Sequence, residues 1–131
     1  TGAYIFIRAH WDAQGKGEGM KAAKYTDFPE KDTPHKVSAR TIYDHDHGQA
    51  VVISLRKGEG LKRHVTPVDT FFYVLEGTGK VEIGDEVREV DRDTVIESPA
   101  NVPHRLFNEA SPEFRFLVVK MPRPSGSTKV L

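Results

Sequence analysis

The chain has 131 residues, enough for one domain with one modest hydrophobic core. Its 19 Lys and Arg cancel its 19 Asp and Glu, with the signs interspersed, so no charge excess draws it to nucleic acid or to an anionic membrane. It contains no cysteine, which excludes disulfides, thiolate metal sites and cysteine nucleophiles, and fits a cytoplasmic protein.

Tyr4 to Ile7 is a short β-prone run, and Thr1 to Arg8 lack the basic start and long apolar core of a signal peptide. No apolar run approaches the length that spans a bilayer, so no membrane partner is expected. Gly15, Gly17 and Gly19 have no following Gly-Lys-Ser/Thr, and they read as a flexible connection rather than a phosphate loop. Met20 to Tyr25 has room for one or two helical turns. Phe28-Pro29 and Thr33-Pro34 then mark irregular chain, because proline disfavours helix in the residue before it. Residues 1–36 are therefore an N-terminal strand and irregular leader.

From residue 37 the pattern becomes strands and turns. Val37 to Tyr43, Gln49 to Arg56, Leu61 to Thr66, Thr70 to Leu75 and Lys80 to Ile83 are β-prone. Val87 to Val90, Thr94 to Glu97, His104 to Asn108 and Phe114 to Met121 complete the series. Gly84-Asp85 is a hairpin signal. Short strands recurring with turn residues between them predict an all-β sandwich or barrel over residues 37–121. Residues 122–131 lack an apolar face and read as a surface tail.

Two spaced motifs lie inside that barrel. Five residues separate Gly58 from His64, and Glu76-Gly77 closes the first motif. Pro99, His104 and Asn108 have the spacing of the second, with Asp93 and Asn101 in its two glycine places. In these residues the chain resembles the cupin superfamily, in its small single-domain, conserved-barrel form. The resemblance implies a double-stranded β-helix (a jelly-roll barrel) and an assembly as homodimers. It also implies a divalent metal held by three histidines and a glutamate. Here Thr66 occupies the second histidine place and Thr70 the glutamate place, so two of the four ligands are replaced.

Strand alternation puts Thr70, Phe72 and Val74 on one face, and His104, Leu106 and Asn108 on another. A barrel of this size encloses room for one small ligand. The expected pocket is His64, Thr66, Thr70, Phe72, His104, Leu106 and Asn108, a few polar points on apolar walls. Asp69 is the acid nearest the lost glutamate, and alternation turns it outward unless a turn intervenes. Two expectations stay open. One is a two-histidine, one-carboxylate site through His64, Asp69 and His104 for iron, manganese, zinc or nickel. The other is a metal-free pocket, or one with a loosely held ion, because threonine is a poor ligand for a transition metal.

Other features read more simply. His45 and His47 belong to a polar turn before Gly48, Glu76 and Glu97 to the rim or surface, and His10 and His35 to the leader. Trp11 and Arg8 either cap the barrel mouth or pack the leader down. No serine elbow lies between a strand and a helix. The leading function is a small-molecule-binding barrel built around two histidines. The alternative is a metal-dependent isomerase, lyase or dioxygenase acting on a small acid or sugar derivative. A third reading is an assembly role, in which Tyr4 to Ile7 pairs across a dimer.

Overall fold

The structure is a computed structural model and describes residues 19–125 and 129–131. The expected strand at Tyr4 to Ile7, and Arg8, His10 and Trp11, lie outside the described residues.

The leader contributes one 3-10 turn, Tyr25–Asp27, later in the chain than the helical turns expected from Met20. Ten antiparallel strands follow among the described residues: β1 (Ser38–His45), β2 (Gly48–Arg56), β3 (His64–Val65), β4 (Asp69–Glu76), β5 (Gly79–Ile83), β6 (Glu86–Val90), β7 (Val95–Ser98), β8 (His104–Phe107), β9 (Glu113–Met121) and β10 (Lys129–Val130). One sheet runs β1-β2-β9-β4-β7 and the other β10-β3-β8-β5-β6. The two face each other as a double-stranded β-helix, the fold expected from the motifs. No helix among the described residues is long and apolar enough to cross a membrane.

The interior follows from period-two alternation. Phe114, Phe116 and Val118 of β9, Phe72 and Val74 of β4, and Leu106 of β8 are buried, whereas their chain neighbours are more open. With Ile53, Leu55, Leu61, Val81 and Val90 they form one core cluster between the sheets. Edge-to-face contacts between Phe72 and Phe116 fill the middle, with centroids 6.1 Å apart. The barrel is thus packed through most of its length.

Two boundaries differ from the expectation. The run Leu61 to Thr66 yields only a two-residue strand, because Leu61 instead bonds its backbone N–H to the Leu106 carbonyl and enters the core. Part of the tail is ordered by pairing: Val130 lies opposite His64, and the Leu131 N–H donates to the Arg63 carbonyl, while residues 129–131 stay exposed.

The four glycine places of the two motifs share one backbone property. Gly58 and Gly77 have φ of 90° and 81°, and Asp93 and Asn101, which replace glycine, have φ of 67° and 65°. Asp and Asn tolerate this left-handed region better than other residues with a side chain, so the substitutions keep the turns.

Candidate functional site

His64 and His104 are register partners on β3 and β8, which brings the two motif histidines face to face. Their rings meet edge-on with centroids 4.4 Å apart, and the two Nε2 atoms are 3.0 Å apart. Opposite them, the other sheet presents a row of inward positions. Ser98 of β7 lies across from Thr70 of β4, and Thr70 lies across from Lys120 of β9. Thr66 stands between the rows, with Oγ1 3.2 Å from His104 Nε2. His64, Thr66, Thr70, Ser98 and His104 are all buried, and Lys120 is half-buried at the mouth. The leader returns across this end, where the rings of His35 and His64 lie 4.7 Å apart.

The hydrogen bonds fix the protons. His64 Nδ1 is 2.7 Å from the Lys62 carbonyl, which can only accept, so His64 carries its proton on Nδ1. A neutral His64 then offers a lone pair at Nε2, and His104 must donate to it from its own Nε2–H. That leaves His104 Nδ1 as an acceptor for the Ser98 hydroxyl, 2.6 Å away. The Lys62 backbone N–H donates to His35 Nδ1 at 2.8 Å, which places the proton of a neutral His35 on Nε2.

Burial keeps the three rings neutral. Desolvation, followed by the closeness of the His64 ring and by the Lys120 charge, pushes His104 down to about 3. Desolvation also leads for His35, pushed down to about 4 with help from His64, Lys62 and Lys120. His64 is lowered by burial despite the opposing bond to the Lys62 carbonyl. Burial alone lowers Lys120, with no acid pulling the other way. One half-buried ammonium, Lys120, therefore stands among neutral imidazoles and hydroxyls, with the exposed Lys62 outside them.

The expected pocket residues separate into two groups. His64, Thr66, Thr70 and His104 come together, and Phe72 lies against them, its ring edge-on to His104 at 5.2 Å. Leu106 is inward but belongs to the packed core. Asn108 is not brought to the histidines: it lies four residues along from His104, about 13 Å at the rise of a strand. Its amide donates to the carbonyls of Leu55 and Ser111, and its oxygen accepts from the Ser111 N–H. It ties a turn at the opposite end. Nor is Asp69 brought to them: it is exposed at the start of β4, where its Oδ1 accepts from the Ala100 N–H at 2.9 Å. Among the described residues, no three His, Cys, Asp or Glu side chains come together as a metal-holding group. His45 ends β1 and His47 follows in its hairpin turn.

Three members of this end were not among the expected residues. Lys120 was readable from alternation, since it continues the inward series Phe114, Phe116, Val118. Ser98 follows Ile96 on the inward face of β7. His35 reaches the site only through tertiary contact, and no local pattern marks it.

Ser98 anchors the proton arrangement, which gives a direct expectation. Ser98→Ala leaves His104 Nδ1 buried without a donor and is expected to cost about 1–3 kcal/mol in urea unfolding. A cost near zero would mean that Ser98 is not the partner of His104 Nδ1, because the opposite tautomer would lose an acceptor at a similar cost.

A surface hollow also lies away from this end, lined by Thr78, Gly79, Lys80, Glu89, Glu109, Ala110 and Ser111. Its lysine is already paired with Glu109 at 2.8 Å, so the hollow offers no uncommitted cation.

Residues 51–120, just over half of the chain, match the family model described as Cupin domain. Similar solved structures include the protein TT1209 of Thermus thermophilus, 26% identical with a TM-score of 0.69, covering 80% of this chain and 100% of that one. The polyketide cyclase RemF of Streptomyces resistomycificus is 20% identical with a TM-score of 0.74, covering 86% of each chain. A cupin family protein of Methanocaldococcus jannaschii is 21% identical with a TM-score of 0.66, covering 81% of this chain and 95% of that one. No curated protein matches the sequence.

Proposed function

The chain belongs to the cupin family, and from that premise we propose that it is a small-molecule-binding barrel whose ligand sits at the histidine end, without a resident metal. The observation that carries this reading is that five of the six buried polar side chains among the described residues lie at one end of the barrel, the sixth, Asn108, being used up in tying a turn at the other. His64, Thr66, Thr70, Ser98 and His104 are buried there over Phe72 and the core beneath it. Burying polar groups costs free energy even when they are paired, and the fold could fill these positions with aliphatic residues. A site that must recognise polar atoms accounts for keeping them.

The donor chemistry supports the metal-free part. A divalent ion here would meet the His64 and His104 imidazoles, already engaged with each other, the His35 ring, whose Nδ1 is taken by the Lys62 N–H, and neutral threonine hydroxyls. No carboxylate among the described residues joins them, and the Lys120 ammonium adds a positive charge beside the cation's place. That set does not fit a resident divalent metal, so no catalytic step is derived through one.

A thermal-shift screen against small polar metabolites tests the reading, with metal analysis beside it. Ligands are expected to raise the melting temperature of the native chain and to lose that effect in His104→Gln. Protein purified without chelator, then offered iron, manganese, zinc or nickel, is expected to retain far less than one equivalent. A full equivalent retained by the native chain and lost in His104→Gln would favour the metal enzyme instead. An unresponsive protein across a broad metabolite set would remove the binding role.

A further inference from the structure

The hydrogen bonds at the histidine end occupy the acceptor nitrogen of all three rings and leave N–H and O–H donors over, beside hydroxyl oxygens that can still accept. His104 Nδ1 is taken by Ser98, His64 Nε2 by His104, and His35 Nδ1 by the Lys62 N–H. The Thr70 hydroxyl donates to the Val68 carbonyl at 3.3 Å. What remains at the mouth is the His35 Nε2–H, the Thr66 hydroxyl hydrogen and the Lys120 ammonium. Among the described residues no side chain or carbonyl accepts from that ammonium, and no carboxylate forms an ion pair with it. The nearest acid along the same row of strands is Asp44, reached from Lys120 through Gln49. It lies two strands away and is paired with Arg123 at 3.0 Å.

A half-buried cation ringed by neutral donors lacks one thing, an anion. Lys62 beside it is exposed to solvent, so one half-buried ammonium faces the site, and it balances a single negative charge, which favours a carboxylate over a phosphate dianion. No arginine among the described residues is bonded to these side chains, and Arg63, next to His64 in the chain, is exposed, which points the same way, since arginine forks are the usual partners of phosphate. We propose that the mouth of the barrel takes the carboxylate of a small monoanion, held by Lys120 with His35 and Thr66 donating around it. This deepens the small-molecule reading and rests on it. The histidine pair then forms a neutral floor, and the Lys120 ammonium selects the charge.

The test reads Lys120 directly. The side-chain NMR signals of Lys120 in the full chain are followed while formate, acetate, formamide, acetamide or inorganic phosphate is added. The two acids are expected to shift the Lys120 and His35 signals saturably, and their amides are expected to leave them unmoved. Lys120→Met should weaken acetate binding by about tenfold or more, whereas Lys120→Arg should retain it. Both variants are melted first, so that lost binding is read only on folded protein. Amides binding as well as acids would overturn the proposal, as would undiminished acetate binding in Lys120→Met. Phosphate binding about tenfold tighter than acetate would overturn it in favour of a dianion site. No saturable response of Lys120 to either acid would overturn it too. A neutral metabolite that stabilises the protein through His104, indifferent to Lys120→Met, would sink this inference and leave the broader binding reading standing.

Discussion

Lowering the pH from about 6.5 to about 5 is expected to remove roughly 2 kcal/mol of folding stability through His104 alone. The unfolded chain binds a proton at this residue below about 6.5, while the fold holds it neutral down to about 3. Across that window the unfolded state carries one more proton than the native state, so stability falls as pH falls. Each such group contributes a slope of about 1.4 kcal/mol per pH unit. The contribution is fully present above about 6.5 and is lost progressively on the way down. His64 acts in the same direction, and so does His35, whose partial exposure to solvent weakens its share. Carboxylates contribute little above about 5, which isolates the histidines. Urea unfolding at several pH values is expected to show a steep slope in the native chain. His104→Gln should lower that slope by about one proton's worth. A flat profile between these pH values would mean that the native state admits the proton. A protonated His104 would then be a second positive charge at the histidine end, and the description of one cation over a neutral floor would fail.

The same residues show what a linear sequence discloses and what it withholds. The fold was legible because each turn has its own chemistry and each strand its alternation. Even the departures were informative: Asp93 and Asn101 stand in for glycine at left-handed positions, where those residue types serve nearly as well. Alternation also placed His104, Leu106 and Asn108 on one face, and all three are inward. It gives the side of a strand but not the height along the barrel. Asn108 therefore shares a face with His104 and still serves the opposite end, where it ties the turn at Ser111. Asp69 illustrates the converse, since its outward direction followed from Thr70 pointing in, and the bond to Ala100 uses its carboxylate. Lys120 was missed for a different reason. A lysine at the end of an apolar strand normally marks the solvent, and only its place in the Phe114, Phe116, Val118 series shows that it faces inward. His35 was beyond any local reading, because its role depends on the leader crossing the barrel.

At the end away from the histidines, Gly77→Ala is expected to destabilise the fold by about 3–5 kcal/mol. Two effects add. The residue has φ of 81°, where a side chain costs roughly 1–2 kcal/mol. A Cβ there would also lie 1.9 Å from the Glu113 carbonyl oxygen and 2.8 Å from Ser111 Oγ. The first of these atoms is backbone, so the strand β9 itself must move. Gly79→Ala provides the contrast: the three atoms nearest its Cβ all belong to the Phe114 ring, the closest at 2.2 Å. Replacing Phe114 by leucine is expected to relieve much of the Gly79→Ala penalty and little of the Gly77→Ala penalty, which a double-mutant cycle in urea measures. Equal relief in both would mean that the Glu113 backbone is softer than the paired strands imply. The two ends of the barrel should also separate in function. Folded Gly77→Ala protein, at a temperature where enough survives, should bind acetate as the native chain does, because Lys120 and the histidines lie at the other end. A loss of binding beyond the folded fraction would show that the closed end and the mouth move together.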